Sequence, residues 1–479
     1  MARLRSARDG LLRGRRASGI LAGVLAGGLI AGVLASSAAA APAPAGRASA
    51  AKASATTGWP AYLDGSQHRS YSAAETAITP ASASSLVLKW HDMSGQDFLA
   101  SPTVADGAVF IGSTTGWFYK LSLTTGKVLD KFFTGYQPQK TCSGLGTVAT
   151  ATVASDPRTH QQTVYVGGAN GYLYALRASN LRLKWKAVMG LPSATVSDYF
   201  DWSSPTVANG RIYIGISSNC DDPLVRAGLS GYYQTTGKRF ATFFTVPRHD
   251  VGGSIWSSAA VAPDGDVFAT TGNGPETDQL LGHSESVLKL TPKLRLLAAF
   301  QIPARQVDED SDFGASPVLF RNYVGACNKN GIFYVLKQST MRRAWEERIS
   351  AAAVSDSICA AAPVYDGGNL FVAGTGFTIN GVHYAGSVQE RNPATGALRW
   401  AAGLPNGVIG SPAMDGGGVI AVGTYADTAT TPNATYLLNA SSGQILQTLV
   451  QGTAFAQSVF ADNWLFVANS NGVFAYGLN

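Results

Sequence analysis

Short apolar segments separated by glycine-containing turns recur along most of the chain. In the clearest copy, Ser101 and Pro102 lead into an apolar segment, and Asp106-Gly107 forms a turn before the apolar residues 109–112. An aromatic segment at 117–121 follows, and Thr125-Gly126 opens a further segment. Asp-Gly and Asn-Gly turns between alternating apolar residues are typical of β-hairpins. The pattern therefore predicts repeated antiparallel sheets.

This pattern starts eight times, at intervals of 46 to 58 residues. The starts lie near Ser101, Ala151, Ser204, Ser258, Ser316, Ala362, Ser411 and Gln457. Four strands of five or six residues in each repeat match one blade of a β-propeller. A four-stranded sheet cannot bury both of its faces alone, so neighbouring blades must cover them. The sequence predicts an all-β fold, an eight-bladed β-propeller of four-stranded antiparallel blades.

The two ends of the repeat array indicate how the ring closes. The last repeat ends with an aromatic strand at residues 473–476, and no outer strand follows it. Residues 85–90, before the first repeat, have the character of an outer strand. Because an open ring would expose sheet edges at both ends, we expect this N-terminal strand to complete the last blade. We also expect outer-strand tryptophans such as Trp185 and Trp400 to pack between blades.

The first 41 residues resemble a secretory signal peptide. Six arginines precede an apolar Gly/Ala-rich stretch at 20–34, and small residues with A-x-A spacing continue to residue 41. This stretch is short for a membrane span, so we expect no transmembrane span after cleavage, with an uncleaved anchor as the alternative. The Arg15-Arg16 pair leaves the general and twin-Arg export routes both open. We expect residues 42–57 to form a flexible linker and residues 58–479 to form the propeller.

The leader also accounts for the positive charge of the chain. Without its six arginines and Asp9, 30 basic and 29 acidic residues remain, so we expect no nucleic-acid partner. The four cysteines of an exported protein favour disulfides, with three possible pairings. Our working hypothesis pairs Cys142 with Cys220 and Cys327 with Cys359.

The repeat resembles that of the pyrroloquinoline quinone (PQQ) dehydrogenases. Residues 171–176, with the sequence GYLYAL, followed by Lys184-Trp185, are a close copy, and the resemblance extends over residues 58–479. Residues 202–226 are similar to the polyvinyl-alcohol dehydrogenase branch. Related propellers without a cofactor serve as scaffolds, including an outer-membrane assembly lipoprotein, so the repeat alone does not settle the activity.

More specific resemblances imply a set of site residues. GGSIW resembles the stretch whose Trp forms the floor under the quinone, which implies that role for Trp256. TGNG resembles the segment whose Asn binds calcium, which implies Asn273, and NKNGIFYVL resembles the stretch whose Lys reaches the quinone, which implies Lys329. Asp222 aligns with the family's calcium-binding Glu, and Arg226 is a second candidate to balance the cofactor's negative charge.

The chemistry of PQQ and calcium suits these residue types. PQQ is a flat aromatic tricarboxylate that needs a stacking face and positive charge, and calcium takes oxygen ligands. The catalytic carboxylate of the family has no unambiguous match; Glu285 is the first candidate, Asp278 the second and Asp312 the third. Structural alternatives exist: Asn273 and Lys329 lie in turn sequences, and the acidic residues at 308–312 are typical of a solvated loop.

Two functions follow from these observations. The resemblance implies a secreted or cell-envelope PQQ- and calcium-dependent dehydrogenase that oxidises an alcohol, small or polymeric and including secondary alcohols, by hydride transfer to the quinone. A separate electron acceptor would then be its partner. The alternative is a non-catalytic scaffold for protein interactions at the cell surface. In an enzyme, Trp256, Asn273, Lys329 and Asp222 should converge on one central funnel, whereas a scaffold would scatter them or fill the axis with apolar side chains.

Overall fold

A computed structural model describes residues 58–308, 310–351, 358–427 and 430–479. Its described part contains eight β-sheets and three short 3-10 helices, Tyr62–Asp64, Ala83–Ser85 and Ala304–Gln306. The expected leader and linker lie outside the described residues. Within those residues, no helix is both long and apolar enough to cross a membrane.

The strands are short and are numbered in the order in which they follow one another along the chain. The first half comprises β1 Tyr71–Ser72, β2 Leu86–Asp92, β3 Thr103–Ala105, β4 Ala108–Gly112, β5 Trp117–Ser122, β6 Val128–Phe133, β7 Thr152–Ser155, β8 Gln162–Gly167, β9 Tyr172–Arg177, β10 Leu183–Val188, β11 Tyr199–Phe200, β12 Thr206–Ala208, β13 Arg211–Ser218, β14 Gly228–Tyr233, β15 Arg239–Phe244, β16 Ala260–Val261 and β17 Val267–Thr270. The second half comprises β18 Ser286–Leu290, β19 Leu296–Gln301, β20 Val318–Phe320, β21 Tyr323–Cys327, β22 Ile332–Lys337, β23 Arg343–Arg348, β24 Val364–Tyr365, β25 Leu370–Ile379, β26 Val382–Arg391, β27 Leu398–Leu404, β28 Ala413–Asp415, β29 Val419–Gly423, β30 Ala434–Asn439, β31 Ile445–Gln451, β32 Val459–Ala461, β33 Trp464–Asn469 and β34 Gly472–Leu478.

Each sheet is one antiparallel blade, which confirms the predicted eight-bladed propeller. Blades 1 to 7 begin at β3, β7, β12, β16, β20, β24 and β28, and each has four consecutive strands. These first strands begin one or two residues after the repeat starts predicted from the sequence. Two blades carry an extra strand that the sequence did not reveal: β11 pairs with β13 of blade 3, and β1 runs parallel to β28 of blade 7.

The N-terminal strand closes the ring as expected. Blade 8 contains β32, β33 and β34, and β2 pairs antiparallel with β34 as its outer strand. The register sets Leu86 opposite Leu478 and Asp92 opposite Val473. Residues from the two ends of the repeat array thus share one sheet, which removes the open edges.

The hydrophobic core lies between blades rather than within them. One cluster, for example, joins Phe268 of blade 4 to Tyr334 and Leu336 of blade 5, as mutual covering of faces requires. Outer-strand tryptophans complete the packing, since each lies against a turn glycine of the next blade. Trp185 meets Gly237 in this way, and the other pairs are Trp90 with Gly126, Trp345 with Gly396 and Trp400 with Gly443.

A ring of hydroxyl groups links the blades around the axis. At six junctions of the described blades, a backbone N–H at a blade start donates to a hydroxyl oxygen of the next blade, at 2.8–3.0 Å. The accepting residues are Thr150, Ser204, Ser258, Ser316, Ser411 and Ser101. The last of these bonds, from Gln457 to Ser101, joins blade 8 to blade 1. The small polar residue that marks most repeat starts therefore has a structural role.

Candidate active site

The candidate residues of blades 4 and 5 come from connections between strands. Trp256 lies just before β16, and Asp312 just before β20. Asn273 and Glu285 lie in the loop between β17 and β18, and Lys329 lies in the turn between β21 and β22. These connections of two adjacent blades bring together side chains that are up to 73 residues apart in the sequence.

Trp256, Asp312 and Lys329 are in mutual contact. The indole Nε1 of Trp256 donates to Oδ2 of Asp312 at 2.9 Å, and Lys329 Nζ lies 2.9 Å from Oδ1 of the same carboxylate. The ammonium group is also 5.2 Å from the centroid of the Trp256 ring. The backbone N–H of Lys329 donates to the carbonyl oxygen of Asp312 at 2.9 Å, which fixes the Lys329 turn beside the Asp312 loop.

Asn273 joins this group through a second carboxylate. Its Nδ2 donates to Oδ1 of Asp310 at 3.0 Å and contacts Oδ2 of Asp221 at 3.4 Å. Lys329 Nζ lies 3.2 Å from both oxygens of Asp310. Because both of its donor contacts go to carboxylates, Asn273 Oδ1 points elsewhere, and it is buried without a hydrogen-bond partner.

Glu285 is the most deeply buried carboxylate of the group. Its side chain is fully buried, and Oε2 accepts a hydrogen bond from Ser311 Oγ at 2.6 Å. Its backbone has a positive φ of 48° and donates to the carbonyl oxygen of Gly272 at 2.9 Å. Oε1 is buried without a hydrogen-bond partner, so one oxygen remains able to accept a proton or bind a cation.

Burial shifts the proton affinities of these groups. It raises the pKa of Asp312 to about 6 against the opposing charge of Lys329, and that of Glu285 to about 7. Burial disfavours the charge on Lys329, but Asp312 and Asp310 more than compensate and raise its pKa above its ordinary value. The site therefore combines a permanent positive charge with carboxylates that can change protonation near neutral pH.

The structure brings five of the eight candidates together and leaves three elsewhere. Asp222 is exposed, and its carbonyl oxygen, rather than its side chain, accepts a hydrogen bond from the hydroxyl of Thr141. Asp278 is exposed in a turn. Arg226 lies 3.9 Å over the ring of Phe244 and donates to the carbonyl oxygen of residue 247 at 3.1 Å.

Asp221 and Asp310 are site residues that the sequence reasoning passed over. Asp221, rather than its neighbour Asp222, approaches Asn273, because Ser218 Oγ holds its carboxylate at 3.0 Å and its backbone has a positive φ of 55°. Asp310 belongs to the acidic run that is typical of a solvated loop, yet it contacts Asn273 and Lys329. Its spacing of two residues from Asp312 was the available signal.

Both predicted disulfides form, and both are adjacent to the site. Cys142 pairs with Cys220, and Cys327 pairs with Cys359. Cys220 immediately precedes Asp221, and Cys327 lies two residues before Lys329. The covalent links therefore anchor two of the loops that present the site residues.

Trp256 also borders an axial cavity of about 50 Å³. Each blade contributes one residue to the wall of this cavity, from two or three positions before its repeat start, and most of these eight residues are apolar. These residues are Leu99, Val148, Trp202, Trp256, Gly314, Ala360, Ile409 and Phe455. Ring hydroxyls and Tyr62 also line the cavity. The axial cavity thus has a mixed lining of apolar side chains and hydroxyl groups, and the charged group lies beside it.

The residues present suit a quinone and a hard cation in their chemistry. Trp256 provides an aromatic surface, and Lys329 provides charge beside it. Asn273 Oδ1 and Glu285 Oε1 are unpartnered buried oxygens of the kind that calcium takes as ligands. No group of three or more His, Cys, Asp or Glu side chains of the described residues is arranged to hold a metal ion, so a cation here would also need the Asn273 amide oxygen or backbone oxygens as ligands.

Comparisons with known proteins agree with the fold. The PQQ_2 family model, described as outer membrane protein assembly factor BamB, matches residues 38–220 and 329–476, more than half of the chain. The chain belongs to the PQQ_2 family. Lupanine 17-hydroxylase [cytochrome c] of a Pseudomonas species is 28% identical to this PQQ_2 protein over 194 residues. That alignment covers 40% of the chain but only 27% of the hydroxylase.

Solved structures of other proteins share the fold at low identity. A quinohemoprotein alcohol dehydrogenase from Pseudomonas putida superposes with a TM-score of 0.69 at 16% identity, over 88% of this chain and 80% of that one. BamB from Moraxella catarrhalis superposes with a TM-score of 0.55 at 15% identity, over 82% of this chain and 99% of that one. At these identities the matches establish the architecture of the chain, which an alcohol dehydrogenase and an assembly factor have in common.

Proposed function

We propose that this protein is an exported PQQ- and calcium-dependent dehydrogenase that oxidises an alcohol. The observation that carries the proposal is the convergence of Trp256, Asn273, Glu285, Asp312 and Lys329, which the sequence alone singles out as candidates. Among the similar proteins, the Pseudomonas putida alcohol dehydrogenase and lupanine hydroxylase are oxidoreductases by name. Polymeric and secondary alcohols remain candidate substrates, and the electron acceptor would be a separate molecule.

Two side chains would hold the cofactor, Trp256 by its aromatic face and Lys329 by its positive charge. Trp256 would stack against the quinone, and its orientation is fixed because its indole N–H is bound to Asp312. Lys329 would pair with the oxygens of the quinone, and its charge persists because Asp312 and Asp310 stabilise it. Arg226 contributes no charge here, because its guanidinium lies over Phe244.

The calcium ligands would come from Asn273 and neighbouring carboxylates. Asn273 Oδ1 and Glu285 Oε1 lack partners within the protein, and Asp221 approaches the amide where Asp222 was expected. A hard cation would relieve the cost of these unpaired buried oxygens. It would also offset the repulsion that Asp310 and Asp312 exert on Glu285.

Asp312 is the proposed proton acceptor. When bound, PQQ supplies the electrophilic carbon that accepts hydride from the alcohol. Asp312 contacts both Trp256 and Lys329, so its carboxylate is beside the space where a substrate hydroxyl would lie. Lys329 holds this carboxylate in place, and the burial of the site excludes water from it. Glu285 is the second candidate, and Asp278 is too exposed to share this pocket.

Reconstitution tests the proposal directly. Purified mature protein should reduce an artificial dye in the presence of a secondary alcohol, PQQ and calcium together, and should fail when any one is omitted. Trp256→Ala should abolish the reaction, whereas Trp117→Ala, which alters a tryptophan of β5 in blade 1, should retain it. Failure of wild-type protein to bind PQQ or to turn over would reject the enzymatic proposal.

A non-catalytic scaffold is the second candidate function. The matching family model is described as an assembly factor, and apolar side chains form part of the lining of the axial cavity. A scaffold does not require buried carboxylates whose oxygens lack partners beside a tryptophan face. A protein that binds no quinone but retains its fold would favour this alternative.

The extracytoplasmic location remains part of the proposal. Residues 1–41, which carry the expected leader, lie outside the described residues. The two disulfides support an oxidising compartment, because such bonds persist mainly outside the cytoplasm.

A further inference from the structure

A second pair of buried carboxylates lies away from the candidate active site. Glu75, in the segment before the first blade, is 3% exposed, and Asp415 at the end of β28 is 1% exposed. Ser72 of β1 pairs in parallel with Asp415, so the two carboxylates lie where the N-terminal segment meets blade 7. The proposed mechanism uses neither residue.

Each carboxylate has one oxygen bound by the backbone and one oxygen without a partner. The N–H of Val419 donates to Asp415 Oδ1 at 2.8 Å, and the N–H of Asn463 donates to Glu75 Oε2 at 2.8 Å. Asp415 Oδ2 and Glu75 Oε1 are buried without hydrogen bonds. Backbone donors favour the ionised form of a carboxylate, whereas an unpartnered buried oxygen is costly. In the part of the chain that the structure describes, neither carboxylate forms an ion pair with a basic side chain.

Backbone oxygens of the N-terminal segment surround the turn that follows Asp415. A Cβ added to Gly416 would lie 2.3 Å from the carbonyl oxygen of Ala73, and 3.0 Å from that of Glu75. One added to Gly417 would lie 1.9 Å from the carbonyl oxygen of Ile78 and 3.2 Å from Asp415 Oδ2. Only glycines allow this close approach, and at Gly417 the carbonyl oxygen of Ile78 and Asp415 Oδ2 both face the same backbone position.

The electrostatics of the pair are acidic. Burial raises the pKa of Asp415 to about 7, backbone N–H groups oppose this, and Glu75 raises it further. Burial likewise raises the pKa of Glu75, the backbone N–H groups of Asn463 and Asp462 oppose this, and the charge of Asp462 adds a smaller rise. The charge of Glu75 is thus felt at Asp415, in addition to the cost of burying both carboxylates.

We propose that Glu75 and Asp415 bind a divalent cation that prefers oxygen ligands, such as calcium, and that this ion fastens the N-terminal segment to blade 7. Two ionised carboxylates balance a charge of +2, and the neighbouring carbonyl oxygens can complete the ligand set. This site is independent of the proposed dehydrogenase function, because the Asn273 group lies on blades 4 and 5.

The proposed ion would also affect the N-terminal segment that reaches the axial cavity. The segment before the first blade places Tyr62 at the axial cavity. Backbone carbonyls of the segment accept hydrogen bonds from inner strands, including the N–H of Val261, Leu319, Tyr365 and Met414. An ion at its end would hold this segment in place.

Calcium titration of chelator-treated full-length protein by calorimetry tests the proposal. We expect the double variant Glu75→Gln with Asp415→Asn to lose one binding site, seen as at least a tenfold loss of affinity there. It should also lose a calcium-dependent rise in Tm and in resistance of the N-terminal segment to proteolysis. Asn273→Ala should keep this site and both stability effects, as should Asp106→Asn at an exposed turn.

Two results would overturn the proposal. One is that the double variant binds calcium with the same number of sites and the same affinity as wild type, even if Asn273→Ala loses a site. The other is a double variant that is more stable than wild type, with the same gain in Tm in chelator and in calcium. The two carboxylates would then share a proton instead of binding a cation. Because the Asn273 variant is measured in parallel, failure at the active site is distinguished from failure at the Glu75–Asp415 pair.

Discussion

At the scale of single residues, the site is defined by carboxylates held in unequal environments. Asp312 is bound to Trp256 and Lys329, whereas Glu285 has only the Ser311 hydroxyl. Both lose hydration on burial, but Lys329 offsets that loss mainly at Asp312. This difference makes Asp312 the more readily ionised group, as a proton acceptor at neutral pH requires.

The first prediction concerns the pH dependence of turnover. A base must be ionised to accept a proton, so kcat of the reconstituted enzyme should rise with pH and be half-maximal near about pH 6, the pKa of Asp312. Asp312→Asn should lower kcat by roughly 100-fold or more, and Asp222→Asn should leave it unchanged. A rate independent of pH between 5 and 8, or full activity in Asp312→Asn, would contradict the assignment.

A second prediction follows from the burial of Glu285. Its pKa rises from 4.5 to about 7 in the folded protein, so the folded state keeps a proton that the unfolded state has lost. Stability should therefore fall as pH rises between these values and stay lower above them, by up to about 3 kcal/mol. In chelator, Glu285→Gln should be more stable than wild type at pH 8 but not at pH 4. Identical pH profiles in denaturant unfolding would refute this.

Residue-level contacts were only partly predictable from the sequence. Trp256, Asn273 and Lys329 were recognisable because each lies in a short motif that resembles one of the PQQ dehydrogenases, and the three motifs follow one another in the same order as in that family. Asp222 was chosen over Asp221 because a one-residue shift in an irregular loop changes which side chain faces the site, and neither spacing nor residue type reveals it. Asp310 was masked by its acidic neighbours, and the direction of Arg226 depends on a tertiary contact with Phe244.

At the scale of elements, turns as well as strands connect adjacent blades. Trp185 on β10 lies against Gly237 of blade 3, and three further tryptophan–glycine pairs repeat this contact. The sequence showed both parts of the pattern, the Thr-Gly turn and the outer-strand Trp. The sequence predicted that these tryptophans pack between blades, but not that a turn glycine is the partner, because Trp185 and Gly237 are 52 residues apart.

A matched pair of glycine variants tests this contact. Gly237 and Gly210 both have positive φ, but an added Cβ would lie 2.4 Å from Trp185 at Gly237 and would meet nothing within 4 Å at Gly210. Gly210→Ala should cost about 1 kcal/mol for backbone strain alone. Gly237→Ala should cost more, by about 1 to 3 kcal/mol of overpacking. Equal free energies of unfolding for both variants would show that the tryptophan contact does not contribute to stability.

At the scale of the whole molecule, the ring depends on a strand that comes from the other end of the chain. The repeat count and the missing last strand were recognisable in the sequence because turn glycines and strand lengths recur with little variation. The extra strands β1 and β11 were not, since each has two residues and belongs to no repeat. Closure also brings Gln457 and Ser101 together in the hydroxyl ring.

Two leucines on β2 test ring closure. Leu86 is 4% exposed against blade 8, and Leu88 on the same strand is 50% exposed. Leu86→Asp should lower the free energy of unfolding by about 3 kcal/mol or more, because it buries a charge at the closing sheet. Leu88→Asp should change it by less than about 1 kcal/mol. Equal effects in denaturant titrations would mean that β2 does not hold the ring closed.

The central claim is that this propeller binds PQQ against Trp256 beside Lys329. Equilibrium binding of PQQ in the presence of calcium, followed by tryptophan fluorescence and by dialysis, measures it most directly. The account predicts one quinone per chain, at least a tenfold weaker affinity in Lys329→Ala, and wild-type affinity in Lys131→Ala, whose lysine lies over the Trp117 ring in blade 1. Absence of quinone binding to folded wild-type protein, or equal affinity in both lysine variants, would contradict it.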